Sequence, residues 1–203
     1  MIGDYKSASG LDGPNIAECS RPSTRKTKLK EKNIMKKSSN IMSLVTAAMI
    51  AALYVVLSFA INAFGLASGA IQVRVSEALT ILPYFTASAI PGLAIGCLLF
   101  NLLSGAAILD VIFGTAATLL GAVGSYFIGK AAKKAAWMKF LVPLPPILAN
   151  AFIVPWVLKT AYGLSDAYWY LVATVGIGEV ISCGVLGMVL LFALMPIRNI
   201  LFK

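Results

Sequence analysis

Two long apolar runs, Ile41 to Ala63 and Leu171 to Met195, constrain this chain more than any other feature. Runs of that length ordinarily cross a bilayer, since about 20 apolar residues in a helix match the hydrocarbon thickness. Helical form follows from the same setting, because a helix satisfies its own backbone donors and acceptors where no water can. Composition agrees: 59% of the 203 residues are hydrophobic and 12% are charged, far from the balance of a soluble domain. The sequence therefore reads as an all-α integral membrane protein.

The formal charge of +9 is unevenly placed. Nine of the seventeen Lys and Arg residues precede residue 40, with four acids among them. Basic clusters beside a membrane span set topology or touch anionic lipid, and no nucleic-acid role is assigned to this one. Residues 1–40 are rich in Ser, Lys, Gly, Pro and Asn and lack apolar periodicity, so they are expected to be disordered. Met35, followed by Lys36 and Lys37 and then the first span, reads as an alternative start, which would set residues 1–34 upstream of the protein. Lys30 and Glu31 can be encoded by AAG GAG, a ribosome-binding sequence three codons before that methionine. Residues 41–203 form the membrane domain.

The chain contains no histidine, and its three cysteines, Cys19, Cys97 and Cys183, are scattered. Composition thus excludes a histidine-dependent hydrolase, a histidine-ligated haem and the usual zinc-protease pattern, and no metal or cofactor is expected. No G-x-x-x-x-G-K-[ST] loop occurs, so ATP hydrolysis has to come from another chain. A binder or carrier fits better than an enzyme.

From residue 41 onward the apolar pattern predicts six passes, at 41–63, 75–88, 90–105, 110–129, 140–159 and 170–195. The second and third are short for a bilayer and must tilt, extend or sit among other helices. Lys130, Lys133, Lys134 and Lys139 follow pass four, and Arg198 and Lys203 follow pass six. With six passes, these residues and the basic tail share one side, which predicts that both termini are cytoplasmic.

The polar exceptions collect toward the opposite, outer side. Arg74 and Glu77 open pass two, Asn101 and Asp110 flank the turn between passes three and four, and Glu179 lies inside pass six. Ionisable residues in spans are costly and mark a cavity or pathway. At α-helical spacing Glu77, Thr80 or Ile81, and Tyr84 share a face that offers a carboxylate, a hydroxyl and a ring to a flat polar heterocycle. Simpler readings stay open for two of them: Arg74 with Glu77 as a local ion pair, and Asp110 as a helix cap. Glu179, in "VGIGEVISCG", has no cation nearby in sequence. Three acids against one arginine favour a ligand with a cationic group or several N–H donors. Tyr162, Tyr168, Trp169 and Tyr170 read equally as a stacking lid or an interfacial belt.

Small residues form stripes: Ala47 with Ala51 and Ala48 with Ala52 on pass one, Gly92 with Gly96 on pass three, and Gly114, Thr118, Gly121, Ser125 and Gly129 on pass four. Such faces let helices approach closely, within the protein or against a partner. Pass five, "VPLPPILANAFIVPW", is expected to bend or break at its prolines.

With these residues in place the chain resembles the QueT family, whose members are substrate-binding S components of energy-coupling factor (ECF) transporters. The likeness rests on "VRVSEALTILPYF", "AIPGLAIGCLLFNLLSG", "LDVIFGTAATLLGAVGSYF" and "GEVISCGVLG", and runs from Ile41 to the C-terminus. The resemblance implies a six-helix bundle in the bacterial plasma membrane that takes up queuosine precursors, 7-deazaguanine bases such as 7-aminomethyl-7-deazaguanine or queuine. Arg74, Glu77, Tyr84, Asn101, Asp110 and Glu179 are the expected binding residues. The resemblance also implies docking, through Ala47, Ala48, Ala51 and Ala52, onto a transmembrane coupling subunit with two ATPases. The competing readings are an S component for another heterocyclic vitamin, a stand-alone secondary transporter, a membrane enzyme using Glu77, Asp110 and Glu179, and a purely structural membrane protein, which leaves Glu179 unexplained.

Overall fold

The computed structural model describes residues 21–64, 74–132 and 135–198. The chain divides into two compact units, Met1–Ile41 and Met42–Lys203. The first helix, α1, runs Arg21–Ala63. Its opening part falls in the first unit, where the sequence pattern predicted no regular structure. The run from Ser23 is free of proline and rich in Lys, with Arg25 and Glu31 among them, residues that lose little on entering a helix, and this outweighs the missing apolar face. Residues 1–20, most of the segment read as lying upstream of Met35, are outside the described residues.

The second unit, among the described residues, consists of helices and their connections, with no strand. After α1 come a 3-10 helix Val75–Tyr84, α2 (Ala89–Leu103), α3 (Ile108–Ala132), a 3-10 turn Ala136–Leu141, α4 (Leu144–Ala161), α5 (Tyr168–Glu179), a π-helical segment Val180–Leu186 and α6 (Gly187–Leu194). Four stretches are long and apolar enough to cross a membrane: Asn40–Ala63, Ile108–Ala132, Trp137–Ala161 and Tyr168–Leu194. The protein is a multi-pass membrane protein. Leu44, Met49, Val56, Leu120, Phe127 and Val189 are exposed, as lipid-facing side chains are.

Passes two and three differ from the sequence expectation. Pass two is a ten-residue 3-10 helix, about 20 Å long at the 3-10 rise. It is buried from Ser76 to Pro83 and packs against α2, α3, α6 and the π segment. Pro83 removes one backbone donor, and surrounding helices take the place of lipid. Pass three, α2, has 15 residues, which is too short alone for a hydrocarbon core of about 30 Å. The break expected in pass five lies at its beginning, where the 3-10 turn precedes α4 and Pro145 and Pro146 occupy the first helical turn. Pro155 is carried inside α4.

The small-residue stripes are the seams of this unit. A Cβ on Gly92 would lie 2.6 Å from the Ala47 carbonyl, and one on Gly96 would lie 2.8 Å from Tyr54 Cβ and 3.0 Å from the Ala51 carbonyl. The Ala47–Ala51 face is therefore filled by α2, while Ala48 and Ala52 remain exposed. Along α3, Gly121 meets Pro146, Gly124 meets Pro145, and Gly129 meets Tyr84. Ser125 donates to the Val142 carbonyl at 2.8 Å. The principal apolar cluster, with Ile50, Leu79, Leu82, Leu93 and Ala122, closes around the 3-10 helix.

Candidate functional site

A cavity of about 460 Å³ opens where α1 and α2 end, α3 begins and α4 ends, within the usual size of small-molecule sites. Its lining includes Tyr54, Ser58, Asn62, Arg74, Asn101, Asp110 and Tyr162. Three of the six residues singled out in the sequence thus meet on one cavity.

Each is held by local geometry. Asp110 stands in the first turn of α3, where a carboxylate suits the helix dipole. Its Oδ2 accepts a hydrogen bond from the Tyr162 hydroxyl at 3.1 Å, and the same hydroxyl accepts the Ala107 N–H at 3.2 Å. Oδ1 is buried and has no partner among the described residues. Asn101, in the last turn of α2, donates to the Asp110 backbone carbonyl at 3.4 Å. A Cβ on Gly114 would lie 3.1 Å from Asp110 Oδ1 and 3.2 Å from Asn101 Nδ2, so the glycine leaves room for this pair. Ser58 Oγ is a further buried atom without a partner among the described residues. Burial works against the charge of Arg74, but Asp110 first, with smaller contributions from Tyr54, Cys97 and Glu77, carries it above its ordinary value. Burial, with the Asp110 charge beside it, likewise raises the Tyr162 phenol.

Glu77 and Glu179 lie deeper, and neither lines the cavity. Glu77 is 0% exposed. Its Oε1 accepts hydrogen bonds from the Tyr54 hydroxyl and, at 3.0 Å, from Thr118, while its Oε2 has no partner among the described residues. No ion pair joins Glu77 to Arg74 among the described residues, which answers the reading of these two as a local pair. Thr80 donates to the Glu77 carbonyl at 2.6 Å. Cys183, carried by the π segment, donates to the same carbonyl at 3.3 Å and lies 3.3 Å from Glu179 Oε2. An extra residue in a helical turn re-aims the side chains around it, and here it sets Cys183 over Glu179 and the end of the first 3-10 turn. Asn150 of α4 lies beside Glu179, and its buried Nδ2 has no partner within hydrogen-bond distance among the described residues.

Tyr84 takes a different position from the one expected. In a 3-10 helix each residue advances about 120°, so Glu77 and Thr80 share a face and Tyr84 is turned away from it. Its ring packs on Gly129 and edge-on against Phe85. Sequence reasoning missed Tyr54, Ser58, Thr118 and Asn150. Asn150, a lone amide in an apolar span, was the available signal; tyrosine and hydroxyl side chains in apolar helices give none of comparable strength.

The family model described as "QueT transporter" matches residues 44–196. A curated relative, "Queuosine precursor transporter QueT" of Lactococcus lactis subsp. cremoris (strain MG1363), is 39% identical over 84 residues, covering 41% of this chain and 49% of the relative. The matched part thus spans about half the length of that relative. No solved structure matches the chain.

Proposed function

Because the chain belongs to the QueT transporter family, we propose that it is the substrate-capture subunit of an ECF-type importer for a queuosine precursor. The relative's name supports the substrate class. In this reading the domain makes six passes through the bacterial plasma membrane, with both termini cytoplasmic and the cavity facing outward. A transmembrane coupling subunit and two ATPases supply the energy.

The observation that carries the reading is the cavity wall itself, where Asp110 Oδ1 and Ser58 Oγ are buried without partners among the described residues, beside Arg74 and Asn101. A buried acceptor left unmatched is costly, so a ligand that supplies N–H donors gains by entering. A deazaguanine base carries such donors along one edge and a carbonyl oxygen that suits a guanidinium. Glu77 and Glu179 lie beyond, and the aminomethyl cation matches their charge. Tyr84 faces elsewhere, so any stacking partner comes from Tyr54, Phe100 or Tyr162 on the cavity lining.

Thermal stabilisation of the purified protein in detergent by a panel of deazaguanines and vitamins tests this, since a ligand of the folded state raises its apparent stability. A shift with 7-aminomethyl-7-deazaguanine or queuine that Asp110→Asn, Glu77→Gln or Glu179→Gln abolishes is the expected result. A shift with a vitamin alone overturns the substrate, and silence across the panel from well-folded protein overturns the reading.

A further inference from the structure

Tyr54 belongs to two polar environments at once. Its side chain lines the cavity, and its hydroxyl donates to Glu77 Oε1 behind it. Beyond it, one ligating atom from each of Glu77, Glu179 and Cys183 lies within 4.8 Å of the others, and all three residues are buried. Among the described residues Glu77 Oε2 has no donor, and Asn150 Nδ2, beside Glu179, has no acceptor within hydrogen-bond distance. Two carboxylates held this close away from water require compensation, and among the described residues no lysine or arginine forms an ion pair with either, Arg74 acting on both only from a distance.

We propose that this cluster is an inner subsite, reached past Tyr54, that takes a small cationic head bearing N–H donors, such as a primary ammonium or an amidinium. The proposal rests on the cavity being the substrate's entrance. An ammonium offers three donors in rotatable directions, which suits Glu77 Oε2 and the Glu179 carboxylate together. A transition metal fits less well, since it needs the thiolate of Cys183, whose hydrogen is engaged with the Glu77 carbonyl and Glu179 Oε2. The cavity then holds the body of the ligand while its charged substituent passes the phenol.

Cys183 provides the test, because its sulfur belongs to the cluster. A methanethiosulfonate converts a thiol to a mixed disulfide: the cysteine sulfur bonds to the sulfenyl sulfur, methanesulfinate leaves, and the thiol proton goes to buffer. The full chain in detergent is treated with the cationic aminoethyl reagent or the neutral methyl reagent, and Cys183 is followed by peptide mass spectrometry. The aminoethyl reagent is expected to react faster by about tenfold, the low end of what a charged, low-dielectric cleft gives. That preference falls toward unity in Glu77→Gln and in Glu179→Gln, read separately so that one folded variant suffices. Tyr54→Phe, which removes the hydroxyl and keeps the ring, accelerates both reagents. Equal rates for the two reagents in the wild type, or a preference that survives both glutamine substitutions, overturn the subsite. So does a Cys183 left unmodified in wild-type and Tyr54→Phe protein that is folded by its melting. No purine-like ligand enters this experiment. Charge-selective labelling beside a silent deazaguanine panel therefore removes the substrate class and keeps the subsite.

Discussion

At the scale of single residues, the Glu77 carboxylate is held on one oxygen and open on the other. Thr118→Val removes one of the two donors to Oε1 and is expected to cost about 1–3 kcal/mol, the usual penalty for an unmatched buried polar group. Thr118→Ser keeps the hydroxyl and should melt close to the wild type; equal melting of the two variants counts against the hydrogen bond. Gly114→Ala places a methyl against Asp110 Oδ1 and Asn101 Nδ2, and should weaken ligand binding about tenfold, equivalent to about 1.4 kcal/mol, in a titration. The carboxylates and Asn101 were legible in the sequence because charge and amide groups are conspicuous among apolar residues. Tyr54 and Thr118 were not, because a buried hydroxyl is recognised only by what it touches. Tyr84 was misplaced for a different reason: a spacing of seven joins one face only if the helix has 3.6 residues per turn.

Elements that depart from regular α geometry sit at the centre of the second unit. The 3-10 helix brings Glu77 inward, and the π segment brings Cys183 to meet it. Deleting Ile181 should convert the π segment to regular α-helix, turn Cys183 off the Glu77 carbonyl and abolish ligand-dependent stabilisation while the protein still melts cooperatively. Undiminished stabilisation by ligand would assign the segment a packing role alone. Helix type and π turns follow from tertiary packing rather than from periodicity, which is why the sequence predicted six apolar stretches, four of them long enough to span, but not their forms. The α1–α2 seam was legible as paired small-residue stripes. Gly96→Leu is expected to destabilise the protein by about 1–3 kcal/mol, the cost of overpacking, because the Tyr54 Cβ and Ala51 backbone leave no space for it. Thermal melting with wild-type stability would refute that seam.

At the scale of the molecule, α2 divides the α1 stripe into an inner pair and an outer pair. Ala47 and Ala51 already serve the protein's own packing, which leaves Ala48 and Ala52 as the part of the proposed docking face open to a coupling subunit. Ala48→Leu should therefore preserve ligand-dependent stabilisation and prevent co-purification with that subunit; unimpaired co-purification would move the docking face elsewhere. Exposed apolar side chains and four long spans were foreseeable from hydropathy, because lipid selects composition directly. The cavity was only partly so, since its walls come from chain segments far apart in sequence. Helix α3 carries the most interrupted duties of any element: within four turns its small face answers in succession to Asp110 and Asn101, to Glu77, to Pro146, to Val142 and to Tyr84. Drift at one of these positions cannot be absorbed by its neighbour, because each faces a different opponent. Saturation mutagenesis along α3 should accordingly give a comb, with intolerant teeth at residues 114, 118, 121, 125 and 129, thickened by buried Ala117 and Ala122 and by Gly124 against Pro145, and permissive gaps at exposed Ile112, Leu119, Leu120 and Phe127.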